Sequence, residues 1–257
     1  VTVVIPSFNQ GRFLGAAIES VLGQGYPDLE LIVRDGGSTD GSADVIARHA
    51  HRLRHWASGP DGGQAEGINL GFAHGTGVIL AWLNADDLLL PGAVASAVDH
   101  FMRNPRTDVV YGHRVIIDEA GMEVGRWVLP RHRSCALLWR DYVPQETMFW
   151  RRSIWEKAGG RVDEGYRFAL DWELVARFHR AGARFVRLPR FIACFRTHDE
   201  QKSLALRSTI GEPEFARVRA MLLATRGARL RARVGGLAYL GESVAWTWAF
   251  GAGLSAR

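Results

Sequence analysis

Cysteine and lysine are both scarce in this chain, and each shortage narrows the field. Two cysteines in 257 residues, Cys135 and Cys194, exclude a disulfide-stapled scaffold and a multi-cysteine zinc module. They read as reduced packing residues of a cytosolic protein. Only Lys157 and Lys202 are lysines, so 30 of the 32 basic residues are arginine. No charged-then-apolar leader precedes the strand-like run that starts at Val1, so no signal peptide is expected. Internal repeats, linkers and low-complexity stretches are missing too. No Gly-x-Ser-x-Gly elbow and no Gly-x-Gly-x-x-Gly follows the first strand, which disfavours an α/β hydrolase and a dinucleotide dehydrogenase.

What remains is the composition of an ordinary globule, 47% hydrophobic and 23% charged, with disorder and collagen-like structure excluded. The formal charge of +5 suits an anionic ligand or an acidic membrane surface. Nucleic acid is not an expected partner, because no RNP-type aromatic motif or helix-turn-helix signal is present.

Strand and helix signals alternate through the first hundred residues. Residues 1–5 form a β-branched run ended by Pro6, as in a strand buried on both faces. Ala16, Ile18, Val21 and Leu22 follow at helical spacing. Residues 29–33 and 78–83 read as further buried strands, and 41–50, 64–74 and 92–103 as helices, the last entered through Pro91. This alternation predicts a mostly parallel sheet flanked by helices. Ligands of such sheets bind at the carboxyl ends of the strands. From 108 to 129 short strands surround a hairpin turn at Glu119-Ala120-Gly121, and 169–181 is an amphipathic helix. Strands at 185–188 and 191–195 flank Pro189. The expected division is one α/β domain over 1–205 and a helical extension over 206–257.

Three polar clusters fall just after strands: Ser7-Phe8-Asn9, the run 35–41, and Asn84-Ala85-Asp86-Asp87. Each alone is ordinary turn chemistry; together at one sheet edge they define a site. Asp35 can accept a hydrogen bond from a base N–H, its flanking glycines let a flat ligand reach the backbone, and Phe8 offers a ring face. Asp86 and Asp87 are hard oxygen donors suited to Mg²⁺ or Mn²⁺, with substrate phosphate and water completing the shell. A fourth cluster, Asp61-Gly62-Gly63-Gln64, leads into a helix N-terminus, which suits anions, but on its own it reads first as a cap with a tight turn.

In this order, Val-Val-Ile-Pro-Ser-Phe-Asn (3–9), Val-Arg-Asp-Gly-Gly-Ser-Thr-Asp-Gly-Ser (33–42), Gly-Pro-Asp-Gly-Gly-Gln (59–64) and Trp-Leu-Asn-Ala-Asp-Asp (82–87) resemble family 2 glycosyltransferases of the GT-A fold. Ala-Leu-Asp-Trp-Glu-Leu (169–174), Phe-Arg-Thr-His (195–198) and Gln201-Lys202-Ser203 continue the likeness, which spans about residues 1–205. The resemblance implies a GT-A type, Rossmann-like α/β sandwich and transfer of a sugar from a nucleotide donor, UDP-linked, to a saccharide or lipid-linked acceptor with inversion. It implies a donor-nucleotide set of Pro6, Phe8, Asn9, Asp35, Gln64, Asn84 and Ala85. Asn84–Asp86 matches the Asp-x-Asp motif, with asparagine at its first position, and Asp86 and His198 are the implied metal ligands for Mg²⁺ or Mn²⁺. Asp171 matches the catalytic base, with Leu170 where the family has glutamate. Arg196 and Lys202 are candidates for the donor diphosphate, and Trp172, Gln145 and Glu146 for the acceptor. The implied setting is bacterial cell-surface polysaccharide or glycolipid synthesis, at the cytoplasmic side of a membrane.

Chemistry supports these roles. Departure of a nucleoside diphosphate builds negative charge that a cation can stabilise, and the attacking hydroxyl must give its proton to a positioned carboxylate. Asp171 falls early in a helix, where the dipole favours its ionised form. His51 and His55, four apart, are set aside as members of an exposed arginine-laced helix. Of Trp139, Trp150, Trp155 and Trp172, only Trp172 is taken as an acceptor surface. Arg226, Arg229, Arg231 and Arg233 precede an amphipathic stretch with Tyr239, Trp246 and Trp248. Glu242 interrupts its apolar run, so no membrane span is expected; the stretch could lie on an anionic membrane or pack on the domain or a second copy. Two rival readings are a sugar-nucleotide nucleotidyltransferase, disfavoured by the lack of a lysine before residue 157, and a degenerate nucleotide-sugar binder, motivated by Asn84 and Leu170.

Overall fold

The computed structural model describes residues 1–138, 140–199, 207–224 and 241–242. Trp139, Lys202 and the arginine-rich stretch with Tyr239, Trp246 and Trp248 lie outside the described residues.

Strand β1 (Thr2–Ser7) is buried at every position, as a β-branched run between two layers requires. It pairs in parallel with β2 (Glu30–Asp35) along its whole length and with β4 (Ile79–Trp82) from Thr2 to Val4. Pro6 does not end the strand. Val4 accepts a hydrogen bond from the Leu83 N–H at 2.9 Å, so Pro6, two residues on, turns its nitrogen the same way, past the last β4 pair. No ladder bond is lost there. Helix α1 (Gly11–Leu22) buries Phe13, Leu14, Ala17, Ile18 and Val21 at helical spacing, and α2 (Ser42–His49) and α3 (Gln64–Phe72) follow before and after β3 (His55–Ser58).

The exposed helix expected around His51 and His55 is not observed. His51 sits in a 3₁₀ turn (Ala50–Arg52), and His55 opens β3, its ring stacked 3.6 Å from that of His74. β3 is an edge strand whose residues alternate between half-buried and exposed, so no apolar face announced it.

The chain continues through β5 (Leu88–Leu89), α4 (Ala93–Arg103), β6 (Val109–Ile117), β7 (Glu123–Trp127), α5 (Ser134–Leu137), β8 (Phe149–Arg151), α6 (Arg152–Lys157), α7 (Leu170–Arg180), β9 (Phe185–Arg196) and α8 (Glu212–Leu222). Among the described residues, nine strands form one sheet in the order β3-β2-β1-β4-β8-β6-β9-β5, with β7 paired onto β6. The block β3-β2-β1-β4 is parallel, as is β6–β9. Strand β8 joins the two antiparallel to both neighbours, and β5 runs antiparallel to β9. Successive residues of β1 feed separate cores: Val4 packs with Ile68, Phe72 and Trp150, and Val3 with Leu14, Ile18 and Ala97.

The two strands expected around Pro189 are one. β9 stays paired with β6 through a register shift at His113. Gly112 permits the close approach, since a Cβ there would meet Ile192 Cγ1 at 2.3 Å. The expected hairpin turn is present, with Gly121 at φ 84° and its N–H bonded to the Asp118 carbonyl at 3.0 Å.

Of the C-terminal region, α8 packs back on the domain, the Phe215 ring meeting those of Phe168 and Trp172 at 5.5 Å. Glu242 accepts from Arg133 Nε at 3.1 Å. Among the described residues no helix is long and apolar enough to cross a membrane.

Candidate active site

A cleft of about 1550 Å³ opens where β1, β2 and β4 end. The end of β1 and the loop after it, the loop after β2, and the β3–α3 turn with the start of α3 supply Pro6, Phe8, Gly36, Asp61 and Gln64. The loop after β4 supplies Asn84, Ala85 and Asp86. From β6, the segment 140–146 and α7 come Arg114, Asp141, Gln145, Glu146, Asp171 and Trp172. Asp86 and Asp171, far apart in sequence, therefore face one cavity.

Asp35 and Asn9 stand beside this cavity. Asp35 is fully buried and accepts from Ser38 Oγ, from the Gly37 and Ser38 N–H groups at 3.2 and 3.0 Å, and from Ser58 Oγ at 2.6 Å. Its carboxylate is turned into the loop, which it holds in shape, and the neighbouring Gly36 reaches the cleft. Asn9, at φ 52°, accepts from the Thr39 N–H at 3.0 Å and donates its own N–H to Ser38 Oγ at 2.7 Å. It clamps the β1 loop to the β2 loop. Phe8, 61% exposed, leaves a bare ring at the rim. Gln64 donates to the Asn84 side-chain oxygen at 2.8 Å, so the asparagine at the first motif position joins α3 to the β4 loop.

Behind the cleft, His198 Nε2 lies 3.0 Å from Asp86 Oδ2, and its imidazole is almost wholly enclosed beside Phe13. Arg196 does not face the donor space. Its Nε donates to the Asp86 carbonyl at 2.9 Å and its Nη1 to the Asp118 and Glu119 carbonyls at 3.0 Å, over the Phe13 ring. The guanidinium is committed to tying the hairpin to the β4 loop, which corrects the diphosphate role expected of it. Asp87 accepts the Arg196 N–H at 3.0 Å, and burial, with Asp86 and Glu146 nearby, pushes its carboxyl well above the usual range.

No group of three or more His, Cys, Asp or Glu side chains able to hold a metal ion occurs among the described residues. Asp86 and His198 offer two donors, and Mg²⁺ needs only one or two from a protein when phosphate and water supply the rest. Cis donors of an octahedral ion with bonds of about 2.1 Å lie about 3 Å apart, close to the separation of this pair. The pair fits such an ion.

The side of the cleft formed by β6, the segment 140–146 and α7 is crowded with acids. Burial, opposed by the Trp172 N–H at 2.8 Å and by the Arg114 charge, raises Asp171 to about 6. Asp141 is raised well above the usual range by burial and then by Asp171. Arg114 faces this group, 3.4 Å from the buried Glu146 and with its guanidinium carbon 4.4 and 4.6 Å from the Trp127 and Phe195 ring centroids. Arg114 and Asp141 carry no sequence motif; an arginine inside a strand as buried as β6 is the only signal that could have marked one of them. Gln145 donates to the Trp82 carbonyl at 2.8 Å. Trp172, 1% exposed, donates Nε1 to the Leu137 carbonyl at 3.3 Å, so little of its ring is open to an acceptor. Trp150 and Trp155 are core residues.

The profile of Glycosyl transferase family 2 matches residues 2–196. The chain belongs to that family. An uncharacterized glycosyltransferase of Nostoc sp. is 34% identical over 138 residues, 48% of this chain and 41% of the relative, so the chain spans less than half the relative's length. The crystal structure of Staphylococcus aureus TarS 1–349 in complex with UDP superposes with a TM-score of 0.67 at 17% identity, covering 88% of this chain and 66% of that one. The mannosyltransferase PcManGT from Pyrobaculum calidifontis, in complex with GDP-Man and Mn²⁺, superposes with a TM-score of 0.61 at 19% identity, covering 100% of this chain and 80% of that one. The fold is that of the GT-A glycosyltransferases.

Proposed function

We propose that this chain moves a sugar from a nucleotide donor, UDP-linked, to an acceptor hydroxyl by a single displacement with inversion, with Mg²⁺ or Mn²⁺ bound at Asp86 and His198. The observation that carries this reading is the sharing of one cleft by Asp86 and Asp171. The UDP complex of TarS and the Mn²⁺ complex of PcManGT support the donor and metal classes. When bound, such a cation supplies positive charge against the donor diphosphate. Phe8 and Gly36, with Pro6 and Gln64, form the walls available to the nucleotide.

Asp171 acts as the base. A carboxyl held at about 6 is ionised at neutral pH, yet more basic than an ordinary aspartate, and so better able to take the proton of the attacking hydroxyl. The Trp172 N–H donates to one of its oxygens and holds the carboxylate in place at the cleft. Glu146, paired to Arg114, and Gln145 border the same space and are assigned to the acceptor. In this reading the acceptor is a saccharide or lipid-linked molecule of cell-surface polysaccharide or glycolipid synthesis, met at the cytoplasmic side of a membrane. Leu170, where the family has glutamate, is buried in the core beside an acid that still lines the cleft, which favours an enzyme over a degenerate binder.

The test is Asp171→Asn. Transfer should fall about 10²–10⁴-fold, with titrated nucleotide affinity unchanged in the presence of Mn²⁺. Equal loss of both would make Asp171 structural. Anomeric configuration of the product, read by NMR, tests inversion separately.

A further inference from the structure

Helix α8 begins at Glu212, beyond residue 196 where the family match stops, yet it reaches the base. We infer that Glu214 of α8 is a positioning residue for Asp171, setting where the base stands by gripping the backbone that leads into α7. The inference rests on the assignment of Asp171 as base.

The geometry is specific. The Glu214 side chain is buried, and its carboxylate accepts three consecutive backbone N–H groups, those of Arg167, Phe168 and Ala169, each at 2.8 Å. Ala169 is the cap of α7 and offers no side-chain oxygen of its own, so Glu214 does from a distant element what a capping side chain does locally. Asp171 follows two residues later. Its carboxylate is oriented by the backbone of this same turn through the Trp172 N–H, so a shift of the turn carries the base with it.

The grip is reinforced on both sides. From α8, Arg217 donates Nη1 to the Gly165 carbonyl at 3.0 Å and lies over the Tyr166 ring at 4.2 Å. From α3, Asn69 both donates to the Val162 carbonyl at 3.0 Å and accepts its N–H at 2.8 Å. The segment 162–169 is thus strapped between the helix that starts at Gln64 and the helix that follows the family core. The packing leaves no slack, since a Cβ on Gly211 would meet the Phe168 ring at 2.9 Å. Burying a carboxylate costs far more than burying a neutral cap unless every oxygen is matched. Three aligned donors match it, and they fix position as well as charge. Displacement of a catalytic group by about 1 Å costs on the order of 100-fold in rate.

Glu214→Gln keeps the size of the side chain but sets an NH₂ against at least one of the three N–H donors. It should lower kcat at least tenfold while leaving the Kd for UDP with Mn²⁺ within twofold. In an Asp171→Asn background it should make no further difference, because the group it positions is gone. Glu214→Asp, charged but one methylene shorter, should recover part of kcat, and it serves as the test variant if the glutamine form does not fold. Unchanged kcat, loss of nucleotide affinity in parallel, or the same fold-loss in the Asp171→Asn background would each overturn the inference. If Asp171→Asn itself retains full transfer, the base assignment fails instead.

Discussion

The enclosed acid at Asp35 and the cluster around Asp171 solve one problem in opposite ways. Asp35 is met by two hydroxyls and two backbone N–H groups, all neutral, from its own turn and from β3. Asp171, Asp141 and Glu146 crowd around Arg114, and burial pushes the two aspartates upward. Neutral donors in a turn give a fixed scaffold beside the nucleotide walls. Acids short of donors give a group whose proton affinity is tunable, which is what a base requires. Damage to the two sides should therefore be separable.

After loss of the Asp171 carboxylate itself, the largest effect is expected where the sides meet, at Asp86. Asp86→Ala should lower transfer about 10²–10³-fold and abolish the enhancement of UDP affinity by Mn²⁺. Superimposable UDP titrations of the wild type with and without Mn²⁺ would break the proposed link between Asp86, His198 and a cation.

Arg114 comes next. Arg114→Met leaves Glu146 buried without its 3.4 Å partner, at a cost of about 3 kcal/mol, measurable by urea unfolding. Loss of the Arg114 charge, which lowers Asp171, should also move the acidic limb of the kcat–pH profile above pH 6. Arg114→Lys should restore part of both. An unmoved limb would mean that burial alone tunes the base.

A smaller effect concerns stability. The folded chain keeps the Asp171 proton up to about pH 6, whereas an unfolded aspartate loses it near pH 3.9. Between these values the folded state binds more protons, so stability falls as pH rises through the window and levels off above pH 6. The full difference is at most about 3 kcal/mol. Asp171→Asn should therefore transfer poorly yet be more stable than the wild type by about 1–3 kcal/mol in urea unfolding at pH 8, with the gain shrinking to less than half of that at pH 4.5. Equal stability at pH 8 would mean that the carboxylate is solvated.

What the sequence revealed follows the same division. Residues 1–5 and 79–83 carried a β-branched or apolar signature because they are buried on both faces, whereas Val78, expected to open the second of these runs, is exposed and precedes it. The three polar clusters stood after strands because parallel sheets place ligands there. β3 was invisible because an edge strand of half-exposed residues has no periodicity to show. The antiparallel entry of β8 between β4 and β6 depends on pairings at long range. Motif matching brought Asp86 and Asp171 to the cleft, but it could not tell that Arg196 spends its donors on three carbonyls. Nor could it weigh Arg114 or Asp141, whose meaning lies in their neighbours across the fold.

The smallest effect isolates the scaffold. Ser58 Oγ reaches Asp35 from the edge strand at 2.6 Å, and Ser58 does not line the cleft. Ser58→Ala removes one of four donors and should cost about 1 kcal/mol of stability, with UDP affinity unchanged. Asp35→Asn, which turns an NH₂ toward neighbouring donors, should cost more and should also weaken UDP binding by disturbing Gly36. If Asp35 supported the nucleotide only through its loop, both changes would scale with the loop's loss of stability. A tenfold loss of UDP affinity in Ser58→Ala without destabilisation would instead show that the Asp35 carboxylate acts on the nucleotide itself, and the contrast between a fixed donor side and a tunable base side would have to be redrawn.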